Sequence, residues 1–274
     1  MATERGAIAQ CTEPRTRESL GHDLWELGIV AGTTLLVHAS LSSLGWVCGG
    51  PIAVIQALMD VVTPAGTIVM PAMSGSNTDP AAWVDPPVPR DWIPVIRATM
   101  PAYDPAITPT LGMGVVAEVF RTFPGVIRSA HPNTSFTAWG RDAYAVVHSH
   151  ELEYCLGEHS PLARLYDLDG QVALIGVGYE HNTCFHLAEY RTRGVKELSE
   201  GAAVLVNGRR EWVTYRDIVF HEERFAGFGR LFEQECVVTV GYVGSAQSRL
   251  FSLQHAVEFA MTQVELAREE VEPT

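Results

Sequence analysis

A histidine and a glutamate three residues apart are the side chains best suited to acid–base chemistry in this sequence. They lie in residues 181–189 (HNTCFHLAE), where Asn182 or Thr183 can cap a following helix. Side chains three apart on a helix share a face, so we expect His186 and Glu189 to meet. Histidine titrates near neutral pH, and a neighbouring carboxylate orients the ring and stabilises its protonated form. The pair therefore predicts a general base.

Two other chemistries would use the same segment. Histidine and glutamate are zinc ligands, but their spacing differs from H-E-x-x-H and the sequence has no paired cysteines. Cys184 is a candidate nucleophile, but it stands two residues from His186, a spacing that places the two side chains on different faces of a helix. We therefore expect neither a metal nor a covalent acyl-enzyme.

A turn rich in hydroxyls and glycine follows the first strongly apolar run. Residues 38–45 (HASLSSLG) precede Gly49 and Gly50, where a helical pattern begins. Backbone N–H groups in such a turn can bind an anion such as a diphosphate. The spacing matches neither a P-loop nor G-x-G-x-x-G, which argues against an NTPase and a dinucleotide-dependent enzyme. An ordinary strand-to-helix loop with a helix cap is the alternative.

Three further segments hold polar side chains that can line a pocket. Residues 128–135 (RSAHPNTS) place a serine and a histidine in a stiff loop, and residues 157–161 (GEHSP) combine an acid, an imidazole and a hydroxyl. Residues 215–225 (YRDIVFHEERF) are rich in carboxylates, which can hold ammonium groups. The structural alternatives are a buried histidine with satisfied hydrogen bonds, a helix cap and a solvated charged face, respectively.

Composition limits the kinds of partner. The 274 residues carry a formal net charge of −13, which argues against nucleic acid and favours a cationic small molecule, although acidity also serves solubility. With 47% hydrophobic and 19% charged residues a folded core is expected, and no apolar run reaches the roughly 18 residues of a membrane span. Five isolated cysteines favour a reducing cytoplasm over a disulfide framework.

Hydrophobic periodicity predicts the elements that position these residues. The order strand, helix, strand over residues 33–38, 50–62 and 67–71 indicates a β-α-β unit. Further strands are predicted at 135–139, 171–177, 210–215 and 236–243, and helices at 112–122, 184–193 and 251–270. One α/β domain with a mixed central sheet flanked by helices is the simplest arrangement of these elements.

Two stretches lie outside that regular pattern. Residues 74–109, rich in Pro, Asp, Asn and Trp, predict a long structured surface excursion with a helical turn at 92–98. Residues 1–18 predict a flexible tail without a secretory signal, which leaves residues 19–270 as the single domain.

Six short motifs occur together in an order that is specific to one protein family. They are LVHASL at 36–41, GTIVMP at 66–71, PAITP at 105–109, RSAHP at 128–132, GEHSP at 157–161 and NTCFHLAE at 182–189. Over about residues 35–225 the chain resembles the aminoglycoside 3-N-acetyltransferase family, which is distinct from the GNAT acetyltransferases.

The resemblance implies the antibiotic N-acetyltransferase fold and a reaction. An acetyl group would pass directly from acetyl-CoA, in a ternary complex, to the 3-amino group of the 2-deoxystreptamine ring of an aminoglycoside, conferring antibiotic resistance. His186 matches the histidine that we interpret as the general base, and Glu189 stands beside it. Asp217 matches an acidic position that binds substrate or orients the base.

The other implied site residues divide between two sides of the expected cleft. The coenzyme A side comprises His38, Ser40, Leu41, Ser42, Ser43, Gly45, Val47, Thr110, Leu111, Gly112, Ser129 and His131. The acceptor side comprises Asp79, Tyr103, Glu158, His159, Asp217 and Glu222, of which His159 falls on a histidine that only some members carry.

One departure from the family pattern affects the expected acceptor. Ile218 and Val219 stand where other members can carry a second acid after Asp217. Acyl transfer from coenzyme A is therefore better supported than any particular drug, and acetylation of a different amine metabolite is the main alternative. A non-catalytic binding protein is a third hypothesis, disfavoured by the presence of both His186 and Glu189. The sequence is compatible with a monomer or a homodimer.

Overall fold

A seven-stranded mixed sheet with helices on both faces forms the centre of the protein, which confirms the predicted α/β fold. The computed structural model describes residues 4–9 and 11–269. Its strands are β1 (Thr34–Ala39), β2 (Thr67–Pro71), β3 (Ile127–Arg128), β4 (Phe136–Gly140), β5 (Gln171–Ile175), β6 (Glu197–Val206), β7 (Arg209–Ile218), β8 (Val238–Val243) and β9 (Ala246–Ser252). Its α-helices are α1 (Glu4–Ala9), α2 (Arg17–Glu26), α3 (Gly50–Val62), α4 (Ile93–Thr99), α5 (Gly114–Phe120), α6 (Ala143–Val147), α7 (Pro161–Asp167), α8 (Phe185–Arg191), α9 (Phe225–Glu235) and α10 (Leu253–Glu269).

The predicted β-α-β unit lies in the middle of the sheet. The strand order is β3-β4-β2-β1-β5-β9-β8, in which β1 is parallel to β2 and β5 and the other neighbouring pairs are antiparallel. Parallel strands are covered on both faces and therefore consist of continuous apolar runs. In β1, Leu35 and Val37 belong to the core with α2, α3 and α5, whereas Leu36 belongs to the opposite core with α7, α8 and α10.

The carboxyl ends of β1, β2 and β5 lie at the same edge of the sheet because these strands are parallel. Residues 38–45 begin in the last two residues of β1 and continue into the turn at this edge, and residues 176–184 connect β5 to α8. Ligands of open α/β sheets bind in the crevice beyond the carboxyl strand ends. The topology therefore brings the hydroxyl-rich turn and the start of α8 to one place.

A separate hairpin of β6 and β7 packs against the long excursion of residues 74–109. The Tyr103 N–H donates to the Ala203 carbonyl over 2.8 Å, and the Arg210 guanidinium donates to the carbonyls of Met100 and Arg97. The helical turn predicted at 92–98 is present as α4. The strand predicted at 210–215 is part of this hairpin and is longer than predicted.

Strand β9 was not predicted from the sequence, although it lies between β5 and β8 in the main sheet. Its residues (AQSRLFS) alternate weakly and include a buried serine, Ser248. Pairing with β5 and β8 on its two sides therefore determines this strand, and local periodicity does not contain that information.

The described part of the segment predicted as a flexible tail, residues 1–18, contacts the domain. The Arg15 N–H donates to the Trp46 carbonyl over 2.9 Å, and the Arg17 guanidinium pairs with the Asp60 carboxylate at 2.5 Å. Long-range contacts of this kind are invisible to local sequence patterns. Residues 1–3, 10 and 270–274 lie outside the described residues. Within the described ranges, no helix combines the length and apolar character that crossing a membrane requires.

A glycine in α9 controls how closely this helix approaches the segment leading into α8. A Cβ atom on Gly229 would lie 1.9 Å from Cγ of Tyr179, whose ring is buried among Phe185, Phe232 and Phe251. We expect Gly229→Ala to reduce the free energy of unfolding by about 1–3 kcal/mol through overpacking.

Thermal and urea unfolding followed by circular dichroism provide the measurement, with Gly227→Ala as the matched control in the same helix. A Cβ at Gly227 would meet only the Arg230 guanidinium, at 3.9 Å, so that variant should gain up to about 1 kcal/mol from helix propensity. Equal stability of the two variants would contradict the proposed close packing.

Candidate active site

A cavity of about 1310 Å³ opens at the carboxyl ends of the parallel strands. Its wall includes Val37 to Ser43 from the end of β1 and the following turn, Met70 and Pro71 at the end of β2, and Gly176 to Gly178 after β5. His186 and Glu222 complete one side of it. The cavity thus lies where the topology predicts a ligand crevice and reaches the predicted base.

The predicted His–Glu pair is formed at the start of α8. His186 Nδ1 and Glu189 Oε2 are 2.7 Å apart, and the two side chains are only 5% and 6% exposed. The other carboxylate oxygen of Glu189, Oε1, accepts a hydrogen bond of 2.8 Å from the His221 N–H. Because both oxygens have partners, the carboxylate is fixed in place and holds Nδ1 as a donor, which leaves Nε2 for chemistry.

The second ring nitrogen of His186 faces a different carboxylate. Nε2 lies 3.4 Å from Oε1 of Glu222, whose side chain is 66% exposed. The ring is packed against Phe220 and Phe225, with centroid distances of 4.5 and 4.8 Å. These aromatic contacts fix the plane of the imidazole, so Nε2 keeps its position at the cavity wall.

The two carboxylates determine the protonation of this histidine. Burial lowers the pKa of His186, but the hydrogen bonds and charges of Glu189 and Glu222 outweigh it, so the pKa lies above the usual 6.5. The same contact with His186 lowers the pKa of the Glu222 carboxyl. The two carboxylates thus make the ring a stronger proton acceptor than a free imidazole.

Eight of the twelve residues expected on the coenzyme A side line the cavity. They are His38, Ser40, Leu41, Ser42, Ser43, Gly45, Val47 and Gly112. The hydroxyl of Ser43 donates to that of Ser40 over 2.9 Å. Gly45 has φ +88°, and a Cβ there would lie 2.5 Å from Sγ of Cys11. The turn therefore offers hydroxyls to the cavity and requires glycine at position 45.

His38 differs from the rest of this group because it carries an unpaired ring nitrogen. Its Nε2 atom is buried and has no hydrogen-bond partner among the described residues. Burial, with a smaller effect of His181, lowers the pKa of His38 to about 3. The ring is therefore neutral and retains capacity for a hydrogen bond at the end of β1.

Four residues expected on the coenzyme A side are not at the cavity. The Thr110 N–H and hydroxyl both bond the Glu118 carboxylate, and Leu111 is 58% exposed beside it. Ser129 is buried, and its hydroxyl forms a hydrogen bond of 2.9 Å with Nδ1 of His150. The Thr110 and Ser129 side chains are hydrogen-bonded within the protein, and none of the three residues lines the cavity.

His131 shows why the segment 128–135 is stiff. Its Nδ1 accepts hydrogen bonds from the N–H groups of Asn133 and Thr134, and its Nε2 lies 3.2 Å from the Leu152 carbonyl. Burial lowers the pKa of His131 to about 3, and the ring stacks on His150 at 4.8 Å. These contacts match the structural alternative of a buried histidine with satisfied hydrogen bonds.

Glu222 is the one residue expected on the acceptor side that lines the cavity. The carboxylates of Asp79 and Glu158 are both paired at 2.7 Å, with Arg97 and Arg191. The His159 side chain is 66% exposed and 3.8 Å from Glu151. Charge pairing of this kind depends on the fold and is not visible in a count of acidic residues.

Asp217, on β7 of the hairpin, and Tyr103, which bonds to β6, are buried and outside the cavity wall. Asp217 accepts hydrogen bonds from the Tyr190 hydroxyl at 2.5 Å and the Ile218 N–H at 2.9 Å. The Tyr103 hydroxyl donates to the Ser129 carbonyl over 2.8 Å. Because Tyr190 follows His186 by one helical turn, Asp217 contacts the helix that carries the base and not the base itself.

Several residues of this site were missed from the sequence. Phe220 and Phe225 pack on the imidazole, and Glu180, His181 and Arg249 line the cavity. The segment following β5 offered a signal, because a loop at the carboxyl end of a parallel strand belongs to the crevice. Arg249 lies on β9, so its position could not be inferred without that strand.

Neither alternative chemistry has a site in the described residues. Cys184 is fully buried, and burial raises the pKa of its thiol to about 12, which disfavours a thiolate. Within residues 4–9 and 11–269, no three His, Cys, Asp or Glu side chains are arranged to hold a metal ion.

Comparison with known proteins gives matches over nearly the whole chain. A family model described as aminoglycoside 3-N-acetyltransferase matches residues 36–265. The SPbeta prophage-derived aminoglycoside N(3')-acetyltransferase-like protein YokD of Bacillus subtilis (strain 168) is 51% identical over 254 residues, 92% of this chain and 93% of that protein. The crystal structure of YokD has a TM-score of 0.94 and covers 95% of this chain and 97% of its own.

Two similar structures contain ligands. The AAC-IIIb binary complex with CoASH is 30% identical, with a TM-score of 0.83 and coverage of 93% of this chain and 98% of that chain. AAC-VIa bound to sisomicin is also 30% identical, with a TM-score of 0.84 and coverage of 93% and 99%. Similarity of this extent identifies the fold and the family together.

The geometry of the His–Glu pair predicts a measurable pKa change. We expect Glu189→Gln to lower the pKa of His186, because the neutral amide removes one of the two charges that outweigh burial. Histidine NMR titration of the free protein measures this pKa, with the signal assigned by its loss in His186→Ala. Glu158→Gln, which removes a carboxylate paired with Arg191, serves as the control and should leave the titration unchanged. An unchanged pKa in Glu189→Gln would contradict the described pairing.

Proposed function

The chain belongs to the aminoglycoside 3-N-acetyltransferase family, an enzyme family with acetyl-CoA as co-substrate, and on that premise we propose its reaction and the roles of its residues. We propose that it acetylates the 3-amino group of the 2-deoxystreptamine ring of an aminoglycoside and thereby confers resistance. The observation that supports this most is His186 Nε2 at the wall of a cavity of about 1310 Å³. This volume exceeds the roughly 300–1,000 Å³ typical of one drug-sized ligand, so it suits two substrates together.

The base in this proposal is Nε2 of His186. Glu189 keeps Nδ1 protonated, so that Nε2 presents its lone pair to the amine. As the amine nitrogen attacks the thioester carbonyl, Nε2 accepts its proton, and the imidazolium then gives a proton to the departing sulfur. No acyl-enzyme is required, and the buried Cys184 thiol takes no part. Direct transfer in a ternary complex follows from these roles.

The turn after β1 is the proposed site of coenzyme A. Ser40, Ser42 and Ser43 present hydroxyls at the cavity beside Gly45, and a turn of this kind can hold a phosphate or pantetheine arm. His38 has a free ring nitrogen for a further hydrogen bond. A bound CoASH in the similar AAC-IIIb structure supports a site of this kind in the fold.

The acceptor is proposed to be a cationic small molecule. Glu222 lies next to Nε2 and, within the described part of the chain, pairs with no Lys or Arg side chain. Its carboxylate is therefore free to face an ammonium group, and the net charge of −13 favours cations generally. The similar AAC-VIa structure contains sisomicin, which supports an aminoglycoside acceptor.

A second candidate acceptor is an amine metabolite with fewer charges. Asp79 and Glu158 are paired with arginines, and Asp217 is bonded to Tyr190, so these three acids offer less to a polycation than the sequence indicates. A smaller amine would need only Glu222. The kcat/KM values for aminoglycosides and for simple diamines separate the two acceptors.

The proposed reaction is tested by acetyl-CoA turnover over a panel of aminoglycosides and simple diamines. We expect one CoA thiol released per acetylated product, higher kcat/KM for aminoglycosides, and an acetyl group that NMR locates on the 3-amino nitrogen. Turnover of diamines alone would favour the metabolite acceptor. Absence of turnover with every amine would contradict the proposal.

The role of the base is tested by His186→Ala. We expect kcat to fall by about 100-fold or more, since a positioned general base contributes roughly 10²–10⁴-fold. The matched control is His255→Ala, at an exposed position of α10 remote from the cavity wall. Circular dichroism must show that both variants fold. Nearly normal turnover by a folded His186→Ala protein would remove this residue from the mechanism.

A further inference from the structure

Within residues 4–9 and 11–269, Nε2 of His186 has a single charged neighbour, Glu222. Among the described residues, the charged groups that contact His186 are Glu189 on its own helix and Glu222, and the elements around the ring otherwise present Phe220 and Phe225. Nδ1 is held by Glu189. Any proton that leaves Nε2 for solvent therefore has Glu222 as its nearest protein acceptor, 3.4 Å away.

The proposed reaction requires such a departure once in every turnover. The acceptor arrives as an ammonium ion, and only the free amine attacks the thioester. The overall balance is ammonium plus acetyl-CoA giving amide, CoA thiol and one proton. Of the two protons that the nitrogen loses, one passes through Nε2 to the sulfur, and the other must reach solvent before attack. With both substrates bound, His186 is shut off from water, because its side chain is only 5% exposed even in the open cavity.

We propose that Glu222 is the proton-exit residue of this site: it takes the first proton from His186 Nε2 and passes it to solvent. In this step the ammonium N–H bond breaks as Nε2–H forms, and Nε2–H then breaks as a proton forms a bond to Oε1 of Glu222. Release to water or buffer restores the carboxylate. This role rests on the acetyl transfer proposed above and adds a path to it.

The positions of the two glutamates suit different tasks. Glu189 is buried and both its oxygens are already bonded, one to Nδ1 and the other to the His221 N–H, so it does not contact Nε2. Glu222 combines contact with Nε2 and a side chain that is 66% exposed. Burial suits the carboxylate that orients the ring, and exposure suits the carboxylate that exchanges protons.

The neighbouring Glu223 provides a matched control. It is 67% exposed, one residue away, and contacts His221 at 3.1 Å instead of His186. Glu222→Gln and Glu223→Gln therefore make the same change in charge at nearly the same place. Circular dichroism checks the fold, and Glu222→Asp tests whether a carboxylate at this position restores the rate.

The experiment measures kcat at saturating acetyl-CoA and acceptor as imidazole concentration is raised, after subtraction of the uncatalysed reaction. At low buffer concentration we expect kcat of Glu222→Gln to fall by at least ~10-fold. This loss is smaller than that caused by removing a general base, because water can take over part of the proton transfer from Glu222. Added imidazole should restore its kcat with saturation, since the exposed position is open to a small buffer base. Wild type and Glu223→Gln should not respond, and Glu222→Asp should recover part of the rate.

The alternatives give different results. If Glu222 only binds the ammonium group, Glu222→Gln raises the acceptor KM while kcat stays independent of imidazole, which overturns the proposal. A kcat equal to wild type in low buffer overturns it as well. A wild-type protein that acetylates no amine overturns the proposed function itself, and the exit path with it. An imidazole-dependent kcat confined to Glu222→Gln establishes the path.

Discussion

The hydrogen bond between His186 Nδ1 and Glu189 Oε2 is the interaction on which the rest of the site depends. At 2.7 Å, and with the second carboxylate oxygen held by the His221 N–H, it fixes both the tautomer and the orientation of the imidazole. Only Nε2 is then left for chemistry. The cavity, the hydroxyl-rich turn after β1 and the exposed Glu222 all acquire their roles from the position of that one nitrogen.

The surroundings of His186 reverse the usual effect of burial on the pKa of a histidine. Burial disfavours the charged ring and would lower its pKa, as it does for His38 and His131, both to about 3. At His186 the two carboxylates reverse the direction of the shift. The pKa of His186 is shifted in the opposite direction to those of His38 and His131 because, of these three rings, only His186 contacts carboxylates. This difference separates a base from structural and hydrogen-bonding residues.

The sequence predicted what depends on short spacing. The β-α-β unit follows from periodicity, and the meeting of His186 with Glu189 follows from three-residue spacing on a helix. It did not predict β9, whose strand character comes from its neighbours, nor the contact of Glu222 with Nε2, which joins separate elements. Likewise, the arginine partners of Asp79 and Glu158 are 18 and 33 residues away, so their neutralisation appears only in the fold.

The central claim is that the acceptor amine meets Nε2 of His186 inside this cavity. A crystal structure with CoASH and an aminoglycoside, which together cannot react, tests it most directly. We expect the 3-amino nitrogen within about 2.6–3.2 Å of Nε2, the reach of a general base, with the CoA sulfur nearby and the turn at residues 38–45 against the coenzyme. An aminoglycoside whose amines all lie away from Nε2, or a coenzyme bound outside the cavity, would contradict it.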